Sequence, residues 1–361
     1  MDSNTITQFK ESALMTKWTL SVLVAVALVL PSLVIAQEAE KKTGRISGLM
    51  YGDYFYNIKS ADSLKDVNGF QFRRIYFTYD QQIAEFFDVR FRLEANDVTL
   101  TTKNLFSVFV KDAYIRWNEI FTGSSALFGI SPTPGIEISE KFWGYRALEK
   151  TILDLNRLSS SRDFGVDLRG RLDSDGRYNY WIKLGNSAGS ETEFDKYKRL
   201  YTGFWFQPVK NLDVMAFGQF TARPKKTDAV DNTAKNNNAA LLDAVVHYQQ
   251  GSSFSIGLEG FGQNTANNYR KTAGEPYVDQ IAVGASAYGW VEFAQKLRLV
   301  VRYDYLDMNT DAEDAKSDYY LVGIDFAALK NLHVLPNLAY RGTRGASPDV
   351  MQARMTLHYD F

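Results

Sequence analysis

Residues 351–361, "MQARMTLHYDF", hold the pattern on which the fold turns. Met351, Ala353, Met355, Leu357, Tyr359 and Phe361 fall on one side of an extended chain, and Gln352, Arg354, Thr356, His358 and Asp360 on the other. Strict alternation of this kind belongs to a strand with one apolar and one polar face. The same period runs through residues 86–96, where Phe87, Val89, Phe91 and Leu93 alternate with Asp88, Arg90, Arg92 and Glu94. It returns in 296–306, where Leu297, Leu299, Val301, Tyr303 and Tyr305 alternate with Arg298, Val300, Arg302 and Asp304, and in shorter form at 164–169, 178–184 and 254–259. Each run has about the 9–11 residues that a tilted membrane-spanning strand needs.

The connections sort into two kinds. Short ones fall at 173–176, 208–211, 249–252, 294–296 and 328–331. Long polar ones fall between them at 59–69, 97–106, 131–162, 186–199, 222–238, 264–279, 307–317 and 341–349. Alternation of short turn and long loop predicts an up-and-down antiparallel β-barrel with one decorated rim. The expected fold is therefore all-β, a transmembrane barrel of about 16 strands. The strands are read at 45–58, 70–81, 86–96, 107–118, 124–131, 163–172, 177–185, 200–207, 212–221, 240–248, 254–263, 280–292, 297–306, 318–327, 332–340 and 350–361. The fifth, eighth, ninth and twelfth carry the weakest alternation, because both of their faces are mixed. Phe87, Trp117, Tyr178, Tyr180, Tyr248, Phe254, Phe326, Tyr359 and Phe361 cluster near the short turns, as an interfacial aromatic girdle would. A secreted β-sandwich also explains the alternation, but neither the girdle nor the cadence. The last strand stops on Phe361 because it closes the cylinder against the first, leaving no open edge.

Composition narrows the function. The 361 residues carry a net charge of −1, with no basic excess to neutralise a nucleic acid. The absence of cysteine removes disulfides, thiolate zinc sites, cysteine nucleophiles and lipoprotein anchoring. A mean hydropathy of −0.27 resembles that of a soluble protein, but it is a poor guide where half of each strand faces water, as in a transmembrane barrel. Lys17, the apolar run Trp18–Leu30 and the exit Val34-Ile35-Ala36 predict a secretory signal peptide over 1–36, with Met15 as a possible true start. An uncleaved anchor is the other reading. A short periplasmic segment, 37–44, would precede the barrel at 45–361. Together these features place the chain in the outer membrane of a Gram-negative-type bacterium, with lipid around it.

Inward positions are rich in charge. Arg74, Arg90, Arg92 and Arg116 come from the second, third and fourth strands, and Asp80, Asp88, Glu94 and Asp112 share their faces. Such groups are tolerable only where water reaches them. They form either a wetted, cross-paired wall or an arginine cluster that sets the field in a pore. The 131–162 connection contains "EKFWGYRALEKTILDLNRLSSSR", too apolar for an outer rim. Leu148, Ile152 and Leu155 predict a helix over about 147–157. This third long loop is expected to fold inward as the constriction, with Glu137, Glu140, Glu149 and Asp154 facing the arginines and with Arg146 and Arg157 beside them. A surface cap against neighbouring subunits is the alternative.

These stretches carry a family resemblance. "GLMYGDYFY" in the first strand, Arg73-Arg74 in the second, "FDVRFRLEAN" in the third, "VKDAYIRW" in the fourth and "LFGISPTPG" before the third loop are similar to the outer-membrane porins named for the phosphate-selective porins O and P. The resemblance implies a 16-stranded, usually trimeric diffusion channel whose third loop narrows the barrel. The C-terminal strand also resembles the insertion signal read by the barrel-assembly machinery. A dense lysine ladder is missing, so phosphate specificity is not carried over. The expectation is weak selectivity, leaning to anions if the arginine wall stands unpaired. A non-conducting structural or adhesin-like barrel and a substrate-specific anion channel remain alternatives.

No enzyme, metal site or cofactor is expected. Gly185–Gly189 matches G-x-S-x-G, but no helix follows it. His247 and Asp243 share an inward face at about 13 Å, with no serine evidently in reach. Asp173–Gly176 reads as a hairpin turn rather than a calcium loop.

Overall fold

The computed structural model describes residues 43–361, apart from Asn104 and Ala229. The expected signal peptide and most of the segment after it lie outside the described residues. The barrel strands are β1 (Arg45–Lys59), β2 (Asn68–Ala84), β3 (Phe87–Leu100), β4 (Phe106–Phe121), β5 (Ser124–Pro132), β6 (Arg162–Arg171), β7 (Tyr178–Gly185) and β8 (Arg199–Val209). They continue as β9 (Leu212–Thr221), β10 (Ala239–Gln250), β11 (Phe254–Tyr269), β12 (Val278–Ala294), β13 (Leu297–Asp307), β14 (Lys316–Leu329), β15 (Leu332–Thr343) and β16 (Val350–Asp360). Each pairs antiparallel with its sequence neighbours, and β16 pairs with β1 from Leu49↔Asp360 to Lys59↔Met351. The result is a closed barrel of sixteen strands. Gly48 and Phe361 exchange reciprocal backbone hydrogen bonds of 3.0 Å at the seam.

The period-two pattern has the orientation expected of a membrane barrel. In β11, Ile256 and Leu258 are exposed on the outside, whereas Ser255 and Glu259 are buried inside. In β13, Leu299, Val301 and Tyr303 point out, and Val300, Arg302 and Asp304 point in. No helix among the described residues is long and apolar enough to cross a membrane.

Two inward features break the simple alternation. Three of the four strands that read as mixed carry large apolar groups on the inner face: Tyr201 on β8, Met215 and Phe217 on β9, and Tyr288 and Trp290 on β12 are all buried. They lie beneath the third loop. The second feature is a pair of β-bulges. The β1–β2 register steps from Tyr51↔Arg74 to Gly52↔Phe72, leaving Arg73 as the extra residue. The β3–β4 register steps from Arg92↔Asp112 to Leu93↔Val110, leaving Lys111 extra. A bulge breaks the in-out alternation. Arg73 and Arg74 therefore both serve the lumen, as do Lys111 and Asp112.

The third loop holds the principal correction. Its main helix is α1 (Pro134–Trp143), and the expected helix over 147–157 is only the single turn α2 (Ile152–Leu155). Pro134 opens α1 at its first turn, where a missing N–H costs nothing, and Gly144 ends it in a left-handed conformation with φ 71°. The helix therefore starts earlier in the loop than expected, within Pro132-Thr133-Pro134-Gly135.

Candidate functional site

α1 lies lengthwise along the inner wall. The approach is close because two glycines permit it. A Cβ on Gly203 of β8 would sit 2.8 Å from the Pro134 side chain, and one on Gly135 would sit 2.6 Å from the Phe217 ring. Ile136, Ile138 and Phe142, with Ile152, Leu153 and Leu158, join Tyr201, Met215, Phe217, Leu241, Val245 and Phe261 in one apolar cluster. Trp143, Tyr145 and Leu148 join Tyr288, Trp290, Tyr319, Leu321 and Leu335 in another. Burying the large apolar side chains of the loop contributes roughly 1.5–3 kcal/mol each, enough to keep it inside.

Polar contacts then fix the loop's far edge. Arg73 donates to the carbonyls of Ala147 and Leu148, the latter at 3.3 Å. Arg354 of β16 donates to Leu148 at 3.3 Å, and Arg302 of β13 to Lys150 at 2.5 Å. Tyr145 donates to Asp325 at 3.0 Å, Arg341 to Asn156 at 3.2 Å and Ser159 to Gln219 at 2.7 Å. Three arginines thus satisfy carbonyls of the non-helical segment 147–150, which the loop alone leaves unpaired.

Charge gathers on β1 to β6. Arg74 pairs with Glu94 at 3.2 Å and Lys111 with the same carboxylate at 3.0 Å. Arg92 pairs with Asp112 at 3.1 Å, and Arg162 reaches Asp112 from the start of β6. Towards the short turns, Arg90 pairs with Asp80 at 2.6 Å and Arg116 with Asp88 at 3.4 Å. Tyrosines alternate with these cations: Arg74 lies 5.7 Å from the Tyr51 ring and 4.9 Å from that of Tyr76, and Arg92 lies 4.8 Å from Tyr76. Arg74, Arg90, Arg92 and Arg116 therefore do not stand unpaired.

The loop residues expected to face that wall divide into three groups. Glu137 lies 3.6 Å from Arg162, while Glu140 and Asp154 pair with Arg146 of their own loop at 2.6 and 3.4 Å. Arg146 in turn donates to the Tyr51 hydroxyl at 3.2 Å, bringing this group against Arg74. Burial by itself would raise the Glu140 carboxyl, but Arg146, Arg74 and Arg162 outweigh it and hold it below the usual range. Glu149 lies elsewhere: it faces Arg354 at 3.5 Å and Tyr319 at 3.2 Å, and pairs with none of Arg74, Arg90, Arg92 and Arg116. Arg157 lines a cavity on the long-loop side.

Alternation alone did not single out Asp53, Arg73, Lys111 or Arg162. Asp53 is buried between Arg73 and Thr356. A signal for two of them existed. Arg73-Arg74 and Lys111-Asp112 are adjacent charges inside strands, and without a bulge one of each pair would face lipid at a cost of several kcal/mol.

His247 has neighbours that the strand reading missed. Its Nε2 lies 2.9 Å from Ser255 Oγ, and its Nδ1 lies 3.7 Å from Asp213, its direct partner on β9. Phe142 stacks on the ring at 5.0 Å. The adjoining cavity is lined by His247 but not by Ser255, which is only 4% exposed. The group packs against α1 through Phe142.

A closed antiparallel barrel with an apolar exterior, a charged interior and an inserted third loop defines an integral outer-membrane barrel of the porin fold. Solved structures of the same fold agree. An anion-selective porin from Comamonas acidovorans superposes with a TM-score of 0.64 at 11% identity, covering 88% of this chain and 99% of that one. The outer-membrane channel DcaP of Acinetobacter baumannii gives 0.63 at 13% identity, covering 90% and 100%. Outer-membrane expressed OmpT of Vibrio cholerae gives 0.62 at 12%, covering 90% and 99%. No protein-family model and no curated protein matches the sequence.

Proposed function

We propose that this protein is a porin for the passive diffusion of small hydrophilic solutes and ions across the outer membrane, not an enzyme. The observation that carries the reading is the ionised inner wall of β2–β6 that faces the third loop. Side chains there remain reachable by water, with Glu137 45%, Arg116 31% and Arg90 27% exposed. Ionised groups inside a barrel require an aqueous lumen. Close packing of Arg74, Glu94, Asp112 and Arg162 favours small solutes over large ones.

Selectivity at this wall is proposed to be weak, because Arg74, Arg90, Arg92, Arg116 and Arg162 each have a carboxylate partner. Any lean to anions arises instead from the long-loop mouth. The motifs shared with the phosphate-selective porin O and P group support kinship with it, without phosphate specificity. Assembly as a homotrimer and insertion through the barrel-assembly machinery by way of the strand ending at Phe361 are part of the same proposal.

Planar-bilayer recording of the purified protein tests the reading. Stepwise conductance is expected, and deletion of residues 138–155 raises it several-fold. A protein without steps is a structural or adhesin-like barrel, and an unchanged step after deletion removes the loop from the permeation path.

A further inference from the structure

The cavity on the long-loop side of the third loop has a volume of about 720 Å³ and is lined mainly by polar groups. Its cations are Lys111, Lys150, Arg157, Arg162 and Arg199, and its acids are Asp154 and Glu191. Lys111 and Arg162 are committed to Glu94 and Asp112, and Asp154 is held by Arg146. Among the described residues no carboxylate lies within ion-pairing distance of Lys150, Arg157 or Arg199. Arg199 is oriented by the Tyr201 hydroxyl at 3.4 Å, and its buried Nε has no hydrogen-bond partner. Arg157, exposed at the cavity's rim just after α2, has a left-handed backbone with φ 56°.

We propose that this cavity is a capture site for a small hydroxylated carboxylate, such as a sugar acid, before it enters the constriction. Planar guanidinium forks match a carboxylate in two parallel hydrogen bonds. The hydroxyls of Thr99, Ser187 and Ser190, on the same lining, offer partners to a polyol chain. The volume lies in the range of small-molecule sites. Few free cations beside Asp154 and Glu191 suit a monoanion better than a dianion, whose compact charge calls for a denser cluster. A basic mouth raises the local concentration of such a solute at the pore entrance. That role in permeation rests on the channel reading, whereas binding itself does not.

The test is calorimetric titration of the detergent-solubilised full chain with sodium glucuronate, glucose and inorganic phosphate. Glucuronate is expected to bind and glucose not. Arg157→Gln and Arg199→Gln, checked for barrel structure by circular dichroism, should each weaken glucuronate by about tenfold or more, the worth of one charged hydrogen bond. Equal binding of glucose, tighter binding of phosphate, or unchanged affinity in the double variant overturns the assignment. In bilayers, glucuronate added on the long-loop side should reduce the current of the parent and spare that of the double variant. A protein that conducts but does not bind glucuronate refutes the site alone. One that binds but does not conduct refutes the channel alone.

Discussion

Arg73 donates to the backbone carbonyl of Leu148 at 3.3 Å, joining the second strand to the middle of the third loop. It also pairs with buried Asp53, which Thr356 of β16 contacts as well. One bulged residue thus ties together the barrel seam and the loop within it.

Arg73→Ala leaves the Asp53 carboxylate buried without its cation, a change that costs about 3–5 kcal/mol. A lower thermal unfolding midpoint and noisier single-channel current are expected. In Arg73→Ala/Asp53→Ala the midpoint should recover while the noise persists, because the Ala147 carbonyl remains unclamped. Recovery of both would show that Arg73 acts only on the wall.

The approach of α1 to β9 depends on Gly135. A methyl group there would meet the Phe217 ring at 2.6 Å, and the ring is only 2% exposed, so it has little room to yield. Gly135→Ala should cost about 1–3 kcal/mol by overpacking and should alter conductance by displacing the helix. Adding Phe217→Leu should return part of both. A Gly135→Ala protein with unchanged midpoint and conductance would show that the helix packs less tightly than this geometry requires.

How much was legible in the sequence depends on what each residue faces. All sixteen strands lie where alternation put them, because lipid outside and water inside impose opposite demands on successive side chains. β8, β9 and β12 read poorly because Tyr201, Phe217 and Trp290 face neither lipid nor water but the third loop. Local pattern holds no information about a segment so distant along the chain. Arg73 and Lys111 were hidden for another reason: period-two reading assumes an unbroken register, and each sits where the register slips. α1 went unread because the expected helix rested on the spacing of Leu148, Ile152 and Leu155 further along the loop, although Pro134 is well suited to a first helical turn.

The orientation of the wall makes its own prediction. Val301 sits midway along β13 on the outer face, 46% exposed, beside Gly289 and Val322. At the bilayer midplane an arginine there costs about 2–4 kcal/mol. Val301→Arg should therefore lower the yield of folded barrel in lipid vesicles, whereas Val301→Leu should not. If the arginine variant folded as well as the parent, that face would be meeting water.

The last prediction concerns acid. Glu149 lies in the loop segment that the three arginines hold. Burial alone would raise its carboxyl, but Arg354 and Arg73, with the Lys150 N–H and Arg302, outweigh that and bring it down to about 2 from an ordinary 4.5. A carboxyl whose folded pKa is depressed stabilises the folded state above its unfolded value and loses that contribution as pH falls. Loop anchorage should accordingly be constant from neutral pH down to about 4.5 and weaken progressively towards about 2. Single-channel noise recorded across this window should rise in the parent. Glu149→Gln should be noisier already at pH 7 and nearly independent of acid below it. A parent whose noise stays flat to pH 2, or a Gln variant that still titrates between 4.5 and 2, would assign the acid response to another group.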